Sequence, residues 1–260
     1  MGCGWLGLPL GRSFVQKGYS INGSTTSKDK IDTLRKEGIT PFNINLSENG
    51  VSGDIALFLD GCDTIIINIP PKLRKANAEN YVSKIQHLLN EIEKSTISNV
   101  LFISSTSVYS DDNSKVTEDT KELPETESGK QLLKVEQLLQ SKSELKTTIL
   151  RFGGLIGGDR HPVHFLSGKE NLKNPEAPVN LIHQKDCIGI INSILENKCW
   201  GEVFNAVYPE HPNRRDYYFQ KATDKNLKAP GFDENSISRG KTISSDKVIR
   251  VLKYEFTTKI

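Results

Sequence analysis

Gly2, Gly4 and Gly7, within MGCGWLGLPLG (1–11), have the GxGxxG spacing of a turn that brings backbone amides up to a phosphate. Such a turn needs glycine where the chain bends tightly, where backbone meets a pyrophosphate and where helix meets strand. The spacing points to a dinucleotide, with Trp5 and Leu6 adding amides at the helix start; alone, a glycine-rich turn of unrelated purpose fits it as well. Thr25, Thr26, Ser27 and Lys28, in GSTTSKDK (23–30), offer hydroxyls and a cation for a phosphate and no acid for a ribose 2′-hydroxyl. That favours NADP over NAD, although a hydroxyl-capped helix start at Ser27 beside a solvated Lys28 accounts for the same residues. In GDRHP (158–162), Arg160 can clamp a carboxylate or phosphate and His161 can exchange a proton near neutral pH; both residue types also occur in surface loops for no such reason. His183, in VNLIHQKD (179–186), is either a substrate ligand or an interior histidine, and Asp186 is expected to cap the helix that follows.

These groups must be carried by strands and helices that alternate. Strand-like runs stand at 20–23, 39–45, 63–69, 99–104, 147–152 and 202–207. Between them lie helix-period segments such as ENYVSKIQHLLNEIEK (79–94), with Tyr81, Val82, Ile85, Leu88, Leu89 and Ile92 on one face. Apolar strands joined by crossover-length helices predict an α/β fold, a doubly wound parallel sheet of Rossmann type. The polar stretch from Ser110 to Ser128 reads as a long surface loop, followed by a helix carrying Leu132, Leu133, Val135, Leu138 and Leu139. The expected division is a dinucleotide-binding domain over 1–153 and a C-terminal part over 154–260, a substrate cap interleaved with the sheet's last strand and helix. No apolar strand precedes the glycine turn. The first strand of this fold lies mid-sheet, where four aliphatic side chains contribute about 6–12 kcal/mol, close to a whole domain's stability of about 5–15 kcal/mol. The first strand is therefore expected to be truncated, and Met1 not to be the natural beginning.

Composition excludes several classes. Lys plus Arg number 34 against 32 Asp plus Glu, so the net charge of +2 argues for neither nucleic acid nor an anionic membrane as a partner. Four scattered cysteines (Cys3, Cys62, Cys187, Cys199) suit a reducing cytoplasm and give neither a disulfide framework nor a metal site. Cys62 reads as structural, with nothing basic beside it to stabilise a thiolate. No apolar run approaches the roughly 20 residues of a membrane span, and with neither a basic n-region nor an apolar h-region at the N-terminus export is not expected.

FISSTSVYSD (102–111), LRFGGLIGGDRHP (150–162), VNLIHQKD (179–186), GEVFNAVYPE (201–210) and RRDYYFQKA (214–222) together resemble the extended short-chain dehydrogenase/reductases. The likeness is to the atypical, YeeZ-like branch of the NAD(P)-dependent epimerase/dehydratase family, over nearly the whole chain. The resemblance implies a Rossmann cofactor domain with Ser104 and the Ile69, Pro70, Pro71 segment beside the cofactor. It also implies Ser105 on the substrate, the 158–162 turn over the nicotinamide, and a Tyr and a Lys four residues apart on one helix, where the Lys lowers the Tyr pKa for proton transfer. In ESGKQLLKVEQLL (127–139) those two positions fall on Ser128 and Leu132. Tyr217 and Lys221 form a YxxxK outside the expected helix and are assigned to cap packing. Tyr109 is a candidate phenol, in a position that more often packs the loop.

Two functions lead, ahead of a cofactor-free structural relative. One is an NAD(P)-binding oxidoreductase or epimerase-like enzyme on a small hydroxyl or carbonyl substrate of unknown identity, with His161, Tyr109 or water in place of the missing Tyr. The other is a non-catalytic NAD(P)-binding redox sensor or regulatory protein. A homodimer is compatible with either.

Overall fold

Six short strand-forming runs decide the architecture. The computed structural model describes residues 1–73 and 78–260. From the glycine turn the chain enters α1 (Gly7–Gln16), β1 (Asn22–Thr25), α2 (Ile31–Lys36), β2 (Thr40–Asn43), a hairpin of β3 (Asn45–Ser47) and β4 (Gly50–Ser52), α3 (Ile55–Leu59) and β5 (Thr64–Ile67). It continues through α4 (Tyr81–Ile92), β6 (Asn99–Ser105), β7 (Lys115–Val116), α5 (Glu127–Gln140), β8 (Lys146–Phe152), β9 (Gly154–Ile156), α6 (Val163–Leu166) and β10 (Leu181–His183). Last come α7 (Gln184–Glu196), β11 (Val203–Ala206), α8 (Arg214–Asp224), β12 (Thr242–Ile243) and α9 (Asp246–Leu252).

The central sheet runs β11-β8-β6-β5, every pair parallel, with Ile67 opposite Phe102 and Ser105 opposite Phe152. Its side chains alternate. Ile65, Ile67, Val100, Phe102 and Ile149 join the α4 and α5 face, whereas Leu101, Leu150 and Phe204 join α1, α7 and α9. Burial on both faces is why these strands read as unbroken apolar runs.

β1 and β2 form a separate parallel pair, and among the described residues no strand lies between β1 and β5. Met1–Cys3 joins the two: the Met1 ammonium donates to Ile66 O (2.6 Å), Asn68 N–H to Met1 O (3.1 Å), and Cys3 N–H to Ser24 O (2.8 Å). Beneath this bridge a cavity of about 120 Å³ is lined by Leu10, Phe14, Ile21, Phe58 and Ile65 among others. Burial holds the Met1 ammonium below its ordinary pKa.

Residues 154–260 supply both a cap and the sheet's far side. β9 and β10 pair in parallel, and Ile156, Val163, Val179, Leu181, Tyr217 and Tyr218 make a small core of their own. β11, α7 and α9 return to the main sheet. The polar 110–128 stretch is pinned rather than loose, because β7 pairs with β12 and Arg239 pairs with Glu125. Asp186 does not cap α7. The His183 ring does, accepting from Lys185 N–H (3.2 Å). The fully buried Asp186 carboxylate instead accepts from Tyr254 Oη, Thr257 N–H and Oγ1, and Thr258 N–H, so it fastens the C-terminal segment. A buried carboxylate needs several donors, and the returning segment offers four.

Candidate functional site

The carboxyl ends of β1, β5, β6 and β8 open onto one cleft of about 720 Å³, the edge at which open α/β sheets take ligands. Gly2, Gly4, Leu6, Thr25, Thr26, Ile69, Pro70, Pro71, Ser104, Ser105 and Arg160 all line it. Residues from five stretches of sequence thus meet in one place.

The glycine turn is built by close approach. Gly2 adopts φ +92°, and a Cβ there would fall 2.5 Å from Asn68 O; a Cβ on Gly7 would fall 2.1 Å from Gly2 O. Gly4 differs, since a Cβ on it would meet nothing within 4 Å. Packing therefore does not require Gly4, and the open space before it is where a ligand's phosphates can approach. The Trp5, Leu6 and Gly7 amides have no acceptor among the described residues, and no side chain caps α1. Unspent amides at a helix start are an anion site. Gly2 N–H is held by Ser24 Oγ (2.9 Å) and Gly2 O by Asn68 Nδ2 (3.2 Å), so both neighbouring strands fix the turn.

At the end of β1, Thr25 Oγ1 accepts from Ser27 N–H (3.1 Å) and Thr26 faces the cleft. Ser27 and Lys28 do not line the cleft; Lys30 does. No carboxylate lines this end or any other part of the cleft among the described residues.

On the α5 wall, Ser128 and Leu132 line the same cleft as Ser105 and Phe152. Ser105 Oγ also accepts from Ser107 N–H (3.2 Å), so it ties the strand end as well as lining the site. Ser104 Oγ donates to Glu136 Oε1 (2.5 Å), the entry to a buried network. There Arg151 donates to Glu136 (2.5 Å), Glu122 (2.7 Å) and Tyr109 Oη (2.5 Å), and Tyr109 donates to Asn205 Oδ1 (3.1 Å).

Besides Ser27 and Lys28, the sequence candidates Tyr109, His161 and His183 lie outside the cleft. Tyr109 is 2% exposed in that network, and burial raises its pKa. His161 is 8% exposed in the cap core, its Nδ1 accepting from Val163 N–H (3.1 Å) and its Nε2 donating to Tyr217 Oη (3.0 Å). Burial first, then Lys225, Lys221 and His164, push it down to about 4, so it is neutral at pH 7. His183 caps α7. Tyr217 and Lys221 pack the cap, with the ammonium 5.5 Å from the ring centroid. Sequence reasoning missed Asn68, Lys30 and Lys84. The signal for Asn68 was a lone polar residue ending the apolar run of β5; the two lysines carry none, because nothing local separates them from solvated lysines.

Comparison with known proteins gives a consistent picture. A family model described as NAD(P)H-binding matches residues 2–182. Protein YeeZ of Escherichia coli (strain K12) is 34% identical over 260 residues, covering 98% of this chain and 94% of YeeZ. UDP-glucuronic acid 4-epimerase from Bacillus cereus, solved in complex with NAD, superposes with a TM-score of 0.81 at 18% identity, over 99% of this chain and 92% of that one. A functionally unknown conserved protein from Silicibacter pomeroyi DSS superposes with a TM-score of 0.78 at 22% identity, over 98% and 91%. Among the described residues no helix is long and apolar enough to cross a membrane.

Proposed function

This chain belongs to the NAD(P)H-binding family, among the short-chain dehydrogenase/reductase and epimerase/dehydratase proteins, and on that premise we propose that it is an NAD(P)-dependent oxidoreductase or epimerase-like enzyme. Its substrate is a small hydroxyl or carbonyl compound. The observation that carries this reading is the continuity of the cleft, which runs from the glycine turn to Ser105, Ser128 and the Gly153–Leu155 backbone. A phosphate turn alone needs no such extension.

The residues fit the dinucleotide. Gly4 leaves room and the Trp5 to Gly7 amides supply donors, while Thr25, Thr26 and Lys30 stand at the end of β1 with no carboxylate beside them. That last feature favours NADP over NAD. When bound, the dinucleotide supplies a hydride donor or acceptor. Ile103, Leu132 and Phe152 form an apolar wall that excludes water from that end of the cleft. Ser105 and Ser128 hydroxyls hydrogen-bond the substrate oxygen. Neither ionises near neutral pH, so each relays a proton from water rather than acting as a base.

A second reading, a non-catalytic redox sensor, draws on a specific observation: no Tyr, His, Asp or Glu lines the cleft among the described residues. Titration with NADPH and NADH, followed by cofactor fluorescence, is expected to show NADPH bound about tenfold more tightly. Equal affinities would remove the NADP preference. Turnover of a panel of small aldehydes and sugar nucleotides that falls in Ser105→Ala supports the enzyme; tight binding with no turnover across the panel supports the sensor.

A further inference from the structure

Arg160 lines the cleft, is exposed, and has no hydrogen-bond or salt-bridge partner for its guanidinium among the described residues. It is not adrift. Its guanidinium carbon lies 4.8 Å from the centroid of the Trp5 ring, and Trp5 belongs to the glycine turn itself. Trp5 is held from the other side too, because Gln184 Nε2 donates to Trp5 O (2.6 Å). A cation resting on an indole keeps its position while all five N–H donors stay available. The amides of Trp5 itself and of Leu6 and Gly7, next along the same turn, have no acceptor among the described residues.

The neighbouring residue is fixed differently. Arg160 closes a two-residue turn, exchanging backbone hydrogen bonds with Gly157 (3.0 and 3.1 Å). His161, next along, is bolted into the cap core by Tyr217 and Val163. One turn therefore presents a free guanidinium to the cofactor edge and a locked imidazole to the cap.

We infer that Arg160, seated on Trp5, clamps the pyrophosphate of the dinucleotide together with the glycine-turn amides, and so ties the cap to the occupied cofactor site. This rests on the cofactor reading above and moves Arg160 from the substrate side, where its sequence context put it, to the cofactor. A planar guanidinium can engage two phosphate oxygens at once, which an ammonium cannot.

The test measures binding, with no activity needed. Dissociation constants for NADPH, ADP-ribose and AMP are determined for the parent chain, Arg160→Met, Arg160→Lys and Trp5→Leu, with melting midpoints confirming the fold. Arg160→Met is expected to weaken NADPH and ADP-ribose alike, by roughly tenfold or more as for loss of a charged hydrogen bond, and AMP by less. Arg160→Lys recovers part of the loss, and Trp5→Leu falls between. Dinucleotide also protects residues 157–166 from hydrogen exchange in the parent but not in Arg160→Met. Unchanged ADP-ribose affinity in Arg160→Met, with normal parental binding, overturns this inference alone; a changed KM for an anionic substrate in that case returns Arg160 to the substrate. Failure of the parent to bind NADPH or NADH overturns the cofactor reading with it.

Discussion

His161 and Arg160 are adjacent in sequence and opposite in circumstance. Arg160 is solvated at the cleft, whereas His161 is neutral and packed against Tyr217 with stacked rings 5.9 Å apart. The cost of charging that imidazole governs its pH behaviour. Its folded pKa of about 4 lies below the ordinary 6.5, so its contribution is complete above pH 6.5 and is lost as pH falls toward 4, where the unfolded chain takes up the proton first. The shift corresponds to on the order of 3 kcal/mol. The melting midpoint is expected to drop between pH 6.5 and 4, and His161→Asn is expected to flatten most of that drop while lowering the midpoint at pH 7. His183 and His211 are also held below their ordinary range by burial and account for a remainder. Identical slopes in variant and parent would remove His161 from the explanation.

Among the elements, α5 decides the shape of the candidate site. Thr126 Oγ1 starts it by accepting from Gly129 N–H (3.1 Å), and its buried stripe of Leu132, Val135 and Leu139 seats it on β6 and β8. Glu136, two turns after Ser128, locks its rotation through Ser104 and Arg151, both at the carboxyl end of their strands. The pair is deeply buried, with Arg151 at 3% and Glu136 at 1% side-chain exposure. Removing one partner strands the other charge, a loss of about 3–5 kcal/mol. Glu136→Ala is expected to lose that much in denaturant unfolding, and Glu136→Gln less because its one amide oxygen still accepts from Arg151. A loss under about 1 kcal/mol would show that Glu122 alone satisfies Arg151. The element was legible as an amphipathic helix. Its Glu136 was not, because a glutamate on a helix is ordinarily solvated and only the strand pairing of Ser104 with Arg151 draws it inside.

At the scale of the whole molecule, the sheet is uneven. β6 has strands on both sides, while β1 and β5 each have one and, among the described residues, face a cavity bridged only by Met1–Cys3. Local opening follows unpaired backbone and low packing. Amides of β6 and β8 are expected to exchange slowest, and those of β1 and β5 that face the cavity at least about tenfold faster. Uniform protection across all six strands, measured by hydrogen exchange, would contradict that picture. The cofactor turn sits at the top of the same cavity, so dinucleotide binding is expected to narrow the difference.

The sequence by itself determined the six strands, the helices between them and the glycine turn. Each rests on a local cause: short apolar runs for the central strands, the 3.6-residue helical period, and the GxGxxG spacing of Gly2, Gly4 and Gly7. Tertiary structure alone decided which polar groups share the cleft. It brought Lys30, Asn68 and Lys84 in, and left Ser27, Lys28, Tyr109, His161 and His183 outside it. Burial and partnership are relations between distant segments, so a histidine that reads as a proton carrier becomes a packed neutral ring once Tyr217, 56 residues on, closes over it.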